Sequence, residues 1–224
     1  MQASLRLIDG VIQMTDRAKS KKLIVDASAD FEGEPDLPRL RKAHSALKKD
    51  SDFALSELNS LAASGSRMSM AYLGQACEIG SGMKIDLAMA EMWYKKACAA
   101  GSLSALISLS YLYLRTNEFG KAEILLQSGV ERSYSLATYT LGRIYIFGPG
   151  NFDKREEGIR LLERAASLGN LYAKRDFGYL LVKGEFGIFG RIKGEFIYMD
   201  GLIKMLRLAW TNPGSQKLRQ YGVY

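Results

Sequence analysis

A pattern of small and apolar residues recurs four times along this 224-residue chain and constrains its fold more than any other feature. The copies open 36, 32 and 36 residues apart, at Gly65, Gly101, Ser133 and Gly169. Nine residues after each opening, a second small residue follows a large apolar one: Leu73-Gly74, Leu109-Ser110, Leu141-Gly142 and Phe177-Gly178. A third small residue lies between them, at Ser69, Ala105, Ala137 and Ala173. A fixed period of about 20–50 residues is typical of stacked-repeat proteins.

Each copy is predicted to fold as two helices. Its apolar and small residues recur about every four positions, which is a helical rhythm. In Gly101-Ser102 and Gly169-Asn170, a glycine suited to end one helix precedes a residue suited to cap the next. The second helix is expected after Asp86 or Asp153, and glycines such as those in 80–82 form the turn before it.

The small residues within the helices indicate how the pairs pack. Gly74, Gly142 and Gly178 each cost a helix up to about 1 kcal/mol relative to alanine, so their recurrence predicts close approach of a neighbouring helix. Large side chains such as Trp93 and Tyr113 are expected to fill the adjacent space. One pair cannot bury its apolar face alone, and stacking several pairs creates a continuous core.

The stretch from Leu73 to Ala105 resembles the Sel-one-like repeat (SLR) family, a relative of the tetratricopeptide repeat with a longer loop between its helices. The match extends over 65–101 and 133–169, and it is partial over 101–133, where 115–118 replace the glycine turn. The resemblance implies an all-α fold, a right-handed α-solenoid of stacked antiparallel helix pairs. It also implies binding to other proteins, often as an adaptor, and it brings no catalytic residues.

Four segments are expected along the chain. Residues 1–38 combine an N-terminal helix, with Leu5, Ile8, Val11 and Ile12 on one face, and an exposed linker over Ser28–Pro38. Residues 39–64 form a divergent helix pair or cap. Residues 65–183 hold the repeats. Residues 184–224 form a divergent capping helix and tail, because a solenoid must cover its last apolar face.

The C-terminal segment has three open interpretations. Basic side chains interleave there with large apolar ones such as Phe196, Ile203 and Trp210. A capping helix is favoured, contact with a partner or a second copy comes next, and an interfacial membrane helix comes last.

Net charge, apolar stretches and cysteine count disfavour several classes of protein. The formal net charge is +7, from 31 basic and 24 acidic residues, but the basic residues are scattered, so nucleic-acid binding is disfavoured. No stretch approaches the ~20 apolar residues of a spanning helix, and the start lacks a signal-peptide pattern. Two cysteines do not make a disulfide framework. We therefore expect a cytoplasmic protein.

Nothing in the sequence combines into a catalytic or metal site. His44 is the only histidine, and it is expected to be a surface or packed residue without catalytic function. Cys98 resembles a cysteine of the disulfide-rich branch of the family, but Met70 holds its usual partner position, and Cys77 is expected to be a small core residue. An enzyme, a metal and a cofactor are not expected.

The resemblance also implies a binding surface. In tetratricopeptide-like solenoids the first helix of each pair lines the concave face, and this register predicts a groove of tyrosine and arginine. Its expected members are Tyr111, Arg115, Tyr139, Arg143, Phe147, Tyr172, Arg175, Tyr179 and Lys183. Tyrosine and arginine dominate binding hot spots, and arginine binds carboxylates in bidentate fashion, so the expected ligand is an acidic segment of a protein partner. The alternative is ordinary repeat packing with a solvated arginine face.

Three functions remain compatible with these observations. The leading one is a non-enzymatic adaptor or scaffold that binds a partner through the concave face. The second is a dedicated inhibitor or immunity protein that masks one toxin or enzyme. The third is a membrane-peripheral assembly factor of cell-envelope machinery. A solenoid fold supports each of them.

Overall fold

In a computed structural model of the chain, residues 30–148, 154–183 and 187–211 are described, and these ranges contain helices without strands. Most of the helices are 13 residues long. In chain order they are α1 (Leu37–Ala46), α2 (Ser51–Ala63), α3 (Arg67–Ile79), α4 (Leu87–Ala99), α5 (Leu103–Arg115), α6 (Phe119–Glu131), α7 (Ser135–Phe147), α8 (Arg155–Ser167), α9 (Leu171–Val182) and α10 (Gly187–Thr211).

Capping side chains fix where the helices begin. Asp86, Ser102 and Asn170 each accept a hydrogen bond from the backbone N–H three residues later, at distances of 2.9–3.1 Å. Each bond satisfies one of the N–H groups that a helix leaves unpaired at its start. These three predicted caps are confirmed, whereas the predicted cap Asp153 lies outside the described residues.

The four openings of the repeat share one backbone conformation. Gly65, Gly101 and Gly169 have φ values of +88°, +90° and +89°, and Ser133 has φ +55°. Glycine adopts this left-handed region without a Cβ penalty, whereas serine does so at a cost. In the shortened copy, Asn117 also has a positive φ, +61°, and it turns the chain between α5 and α6 in place of the glycine turn.

The mid-helix glycines lie where two helices approach closely, as predicted. A Cβ on Gly74 of α3 would lie 2.7 Å from the ring of Tyr94 on α4, and one on Gly142 of α7 would lie 3.0 Å from the carbonyl oxygen of Gly158 on α8. A Cβ on Gly178 of α9 would lie 2.7 Å from the backbone nitrogen of Tyr198 on α10. Consecutive helices therefore pack as pairs, and the prediction of an all-α solenoid built from stacked helix pairs is confirmed.

The described residues form two compact units, and the boundary falls within α6, between Leu125 and Leu126. The first unit has a core formed by α1 to α5 and the beginning of α6, in which Leu58, Leu73, Tyr94 and Leu112 are fully buried. The second unit has a core formed by α7 to α10, which includes the following buried residues: Ile146, Leu162, Ala165, Phe177 and Leu181.

The prediction of an exposed linker over Ser28–Pro38 is wrong at Asp30, which is 1% exposed. Its carboxylate accepts hydrogen bonds from the backbone N–H of Leu103 at 2.9 Å and of Ser104 at 2.7 Å. Glu34 accepts in the same way from the N–H of Met68 at 3.0 Å. The two acids supply acceptors to the N-terminal ends of α5 and α3, where unpaired N–H groups and the helix dipole favour a negative charge. The predicted helix around Leu5 to Ile12 lies outside the described residues.

Candidate functional site

Asp176 is the centre of a polar cluster in the second unit. The hydroxyl of Tyr139 on α7 donates a 2.9 Å hydrogen bond to its Oδ2. Arg175, its neighbour on α9, donates to its Oδ1 from Nε at 2.8 Å and from a terminal nitrogen at 2.6 Å. Nε of Arg143 on α7 lies 4.0 Å from Oδ2. One carboxylate thus connects two predicted arginines and one predicted tyrosine, which come from the first helices of two successive pairs.

Aromatic rings support the arginines of this cluster. The guanidinium of Arg143 lies 5.7 Å from the ring centre of Tyr139 and 5.9 Å from that of Phe147. The guanidinium of Arg175 lies 4.8 Å from the ring centre of Tyr172. The Tyr139 and Tyr172 rings stack with their centres 6.1 Å apart. A cation over an aromatic face is stabilised by about 0.5–1 kcal/mol when exposed and by more when desolvated, so these rings fix the directions of the arginines.

The members of the cluster differ in access to solvent. Tyr139 is only 7% exposed, and burial, together with the nearby Asp176 carboxylate, raises the pKa of its hydroxyl well above the ordinary value. It therefore stays protonated and acts as a donor that orients Asp176. The side chains of Arg143 and Arg175 are about one third exposed, and Tyr172 is half-buried. These three side chains are accessible to a ligand.

Tyr179 and Lys183 extend the same helix face toward the end of α9. Both are exposed, and the Lys183 ammonium lies 4.9 Å from the ring centre of Tyr179. Seven of the predicted groove residues thus lie on α7 and α9 or directly follow α9 in the second unit: Tyr139, Arg143, Phe147, Tyr172, Arg175, Tyr179 and Lys183.

The two remaining predicted groove residues, Tyr111 and Arg115, lie on α5 of the first unit. Tyr111 is half-buried. Arg115 forms an ion pair with Glu78 of α3, and the hydroxyl of the buried Tyr94 donates a 2.6 Å hydrogen bond to the other oxygen of Glu78. Burial, followed by the neighbouring Glu78, raises the pKa of Tyr94 well above its ordinary value. Arg115 is therefore held by its own chain in a partly buried pair.

Sequence reasoning missed both acids and Tyr94. Asp176 lies two residues before the small residue Gly178, whereas Glu78 lies four residues after the equivalent Gly74. The acids therefore do not share a position in the repeat, and an alignment of the copies gives no signal for them. Position along the chain gives a signal instead. Asp176 follows Arg175 directly, and Glu78 lies one helical turn after Gly74.

The other candidate residues have structural partners. The ring of His44 stacks on Tyr72 with centres 4.0 Å apart, which agrees with a packed residue. Cys77 and Cys98 are not joined in a disulfide, and Cys77 is buried, as expected. In the part of the chain that the structure describes, no group of three or more His, Cys, Asp or Glu residues is placed to hold a metal ion.

Comparison with known proteins agrees with the repeat register. The sequence model of the Sel1 repeat family matches residues 67–102 and 135–170. These are the two copies for which the sequence resemblance is fullest, and the matched ranges correspond to α3–α4 and α7–α8 with their following junctions. Proteins with Sel1 repeats are generally protein-interaction scaffolds.

Solved structures show the same fold. A protective antigen present in uropathogenic Escherichia coli strains, described as displaying an SLR fold, matches with a TM-score of 0.61 at 21% identity over 74% of this chain and 38% of the antigen. A Sel1 repeat protein from Oxalobacter formigenes matches with a TM-score of 0.56 at 21% identity over 68% of this chain and 65% of that protein.

Two further findings concern curated proteins and membrane-spanning helices. No match is found among the curated proteins. Among the described residues, no helix combines the length and the apolar character that crossing a membrane requires. The matched repeats and their register on the helix pairs show that this chain is a helical repeat protein that contains Sel1 repeats, and the SLR-fold neighbours share its fold.

Proposed function

We propose that this protein is a non-enzymatic adaptor that binds an acidic segment of a partner protein through the tyrosine and arginine surface of its second unit. The observation that carries the proposal is the arrangement of Arg143, Arg175 and Tyr172 on the first helices of two successive pairs, with their rings and guanidinium groups held in place by Tyr139 and Asp176. Preorganised side chains lose less entropy on binding, which favours their use as anchors.

The chemistry of the surface supports an acidic ligand. Of the charged side chains named on it, Arg143, Arg175 and Lys183 are basic and Asp176 is acidic. A ligand carboxylate can approach the exposed edges of the guanidinium groups and form bidentate hydrogen bonds. Tyr172 and Tyr179 offer apolar area beside these charges, which is the composition of a binding hot spot. In this proposal the surface corresponds to the concave face.

Two series of short peptides test the proposal. They are identical except that Asp and Glu in the acidic series are replaced by Asn and Gln in the neutral series. Fluorescence polarisation should show tighter binding of the acidic series and a fall in affinity with rising salt. The double variant Arg175→Glu with Lys183→Glu should weaken binding by about a hundredfold or more, because each of the two charge-assisted hydrogen bonds contributes about 1.5–3 kcal/mol.

Arg160→Glu is the matched control, because its side chain is 80% exposed on the second helix α8, away from the first helices that carry the surface. It should leave the affinity unchanged. The helical circular dichroism signal of every variant should equal that of the wild type. Equal binding of acidic and neutral peptides, or unchanged binding in the double variant, would refute the proposal. A single tight one-to-one complex recovered from native lysate would instead identify a dedicated inhibitor.

A further inference from the structure

The last helix, α10, has a regular apolar stripe on its surface. Six large side chains follow one another at alternating steps of four and three residues: Ile192, Phe196, Met199, Ile203, Leu206 and Trp210. All six are exposed, from 51% at Met199 to 89% at Trp210. Alternating steps of three and four are the a and d positions of a heptad repeat, in which a helix pairs with another helix. We call these six residues the apolar stripe.

The opposite face of α10 is the one that covers the end of the repeats. A Cβ on Gly194 would lie 2.5 Å from the Cβ of Leu181, and one on Gly201 would lie 3.5 Å from the backbone nitrogen of Arg175. Ile197 packs against the core of the second unit from the same side. The two glycines are seven residues apart, which is the f position if the stripe occupies a and d. The helix therefore has a covering face toward α9 and a separate stripe facing away from it.

The stripe is narrow, which favours a helix over a membrane as its partner. Charged residues border it on one side at Lys193, Asp200 and Arg207, and the other side is bordered by Glu195 and by the half-buried Leu202. An a and d stripe is the seam of a coiled coil, whereas a helix that lies in a lipid interface has a broader apolar face.

The charges beside the stripe allow a second copy of α10 in parallel orientation. Asp200 pairs with Lys174 at 3.1 Å and with Lys204 at 2.8 Å, so these three side chains together carry one positive charge. In a parallel in-register pair, a residue at position g lies near position e of the following heptad in the other helix. Glu195 of one copy would then lie near Asp200 of the other, and Lys174 and Lys204 beside Asp200 offset the repulsion between the two carboxylates. Ile203 at a and Leu206 at d also match the preference of parallel two-stranded coils.

The size of the stripe is sufficient for a specific pair. A fully covered aromatic side chain buries about 150–250 Å². Two of the six stripe residues are aromatic, the other four are smaller, and all are already partly covered, so each contributes roughly 100 Å². Two copies would together bury about 1,200 Å², which reaches the lower limit of specific interfaces. We propose that the apolar stripe is the dimerisation surface of this protein, on which α10 of a second copy binds to form a parallel helix pair.

Sedimentation equilibrium of the full chain over a wide concentration range tests this proposal. The wild type should be a dimer that dissociates on dilution, and Phe196→Glu with Ile203→Glu should be a monomer, with dimerisation weakened by about a hundredfold or more because charges would be buried in the seam. Both positions are exposed, so the helical signal should not fall, and the melting temperature should equal that of the wild type at concentrations where the wild type is monomeric. The matched control is Ile124→Glu, at an apolar residue 72% exposed on α6, and it should remain dimeric.

Four outcomes would overturn the proposal. A dimer that persists in the double variant places the interface elsewhere. A wild type that stays monomeric and sediments with vesicles of anionic phospholipid shows a membrane-binding stripe. A monomeric wild type that dimerises after Leu5→Glu with Ile8→Glu shows that the N-terminal segment of the same chain covers the stripe. A wild type that is monomeric under all of these conditions shows that no second copy binds.

Discussion

The two units of this protein hold an arginine in the same way but with different residues. In the first unit, Glu78 on α3 pairs with Arg115 on α5 and accepts a hydrogen bond from Tyr94 on α4. In the second unit, Asp176 on α9 binds Arg175 on the same helix, lies 4.0 Å from Arg143 on α7 and accepts from Tyr139 on α7. A buried tyrosine hydroxyl orients the acid in both cases.

The difference lies in how many cations each acid faces. Glu78 pairs with one guanidinium, whereas Asp176 faces two, and the three arginine side chains are about equally exposed, at 30–33%. Glu78 and Arg115 cancel in charge, whereas Asp176 with Arg143 and Arg175 carries one net positive charge. This excess of positive charge, and not a difference in exposure, distinguishes the cluster of the second unit.

The largest predicted effect is on the free energy of unfolding. It compares a helix contact in the second unit with one in the first unit. Gly178→Ala would place a Cβ 2.7 Å from the backbone nitrogen of Tyr198, and backbone cannot rotate away, so the free energy of unfolding should fall by roughly 2–3 kcal/mol. Gly74→Ala meets the ring of Tyr94 at the same distance, and the ring can shift, so the loss should be smaller. Urea denaturation measures both.

Gly120→Ala is the control for this comparison. Gly120 lies in α6 with no atom within 4 Å of a new Cβ, so alanine should raise the unfolding free energy by up to about 1 kcal/mol through helix propensity. If Gly178→Ala proves as mild as Gly120→Ala, α10 is not fixed against α9 as the structure has it.

The second predicted effect concerns the acids. Asp176→Asn and Glu78→Gln should each lower the unfolding free energy by about 1–2 kcal/mol, because a charge-assisted hydrogen bond is replaced by a neutral one. Only Asp176→Asn should strengthen binding of the acidic peptides, because it removes the Asp176 carboxylate, which competes for Arg143 and Arg175. Calorimetric titration of both variants with the acidic peptides shows which of the two acids affects binding. Tighter binding by the Glu78→Gln variant would contradict this prediction.

Much of the fold was predictable because its determinants are local and repeated. The junction glycines, the caps at Ser102 and Asn170 and the close approach at Gly142 all follow from residues that recur at fixed spacing. Asp30 was predicted wrongly, because its hydrogen bonds join residues more than 70 positions apart and a single acid in a polar stretch gives no periodic signal.

The candidate site was predictable only in part. The repeat register predicted the tyrosines and arginines, and whether a partner binds them stays a prediction. The acids that hold them occupy different positions in different copies, so periodicity could not identify Asp176 or Glu78. The apolar character of α10 was evident from the sequence, but which of its faces covers the repeats depends on the glycine contacts with α9.

The smallest predicted effect tests whether one junction is under strain in comparison with its equivalents. Ser133 adopts φ +55°, whereas the other three junctions place glycine in this region. Ser133→Gly removes the Cβ penalty but adds backbone entropy to the unfolded chain, so a net stabilisation of about 0.5–1 kcal/mol is expected. The reverse exchange, Gly169→Ser, should destabilise by a similar amount, because its φ of +89° has the same sign and a Cβ there meets no neighbouring atom. Thermal denaturation of the two variants isolates backbone strain from packing, and a Ser133→Gly variant less stable than the wild type would show that the serine side chain contributes more than its backbone costs.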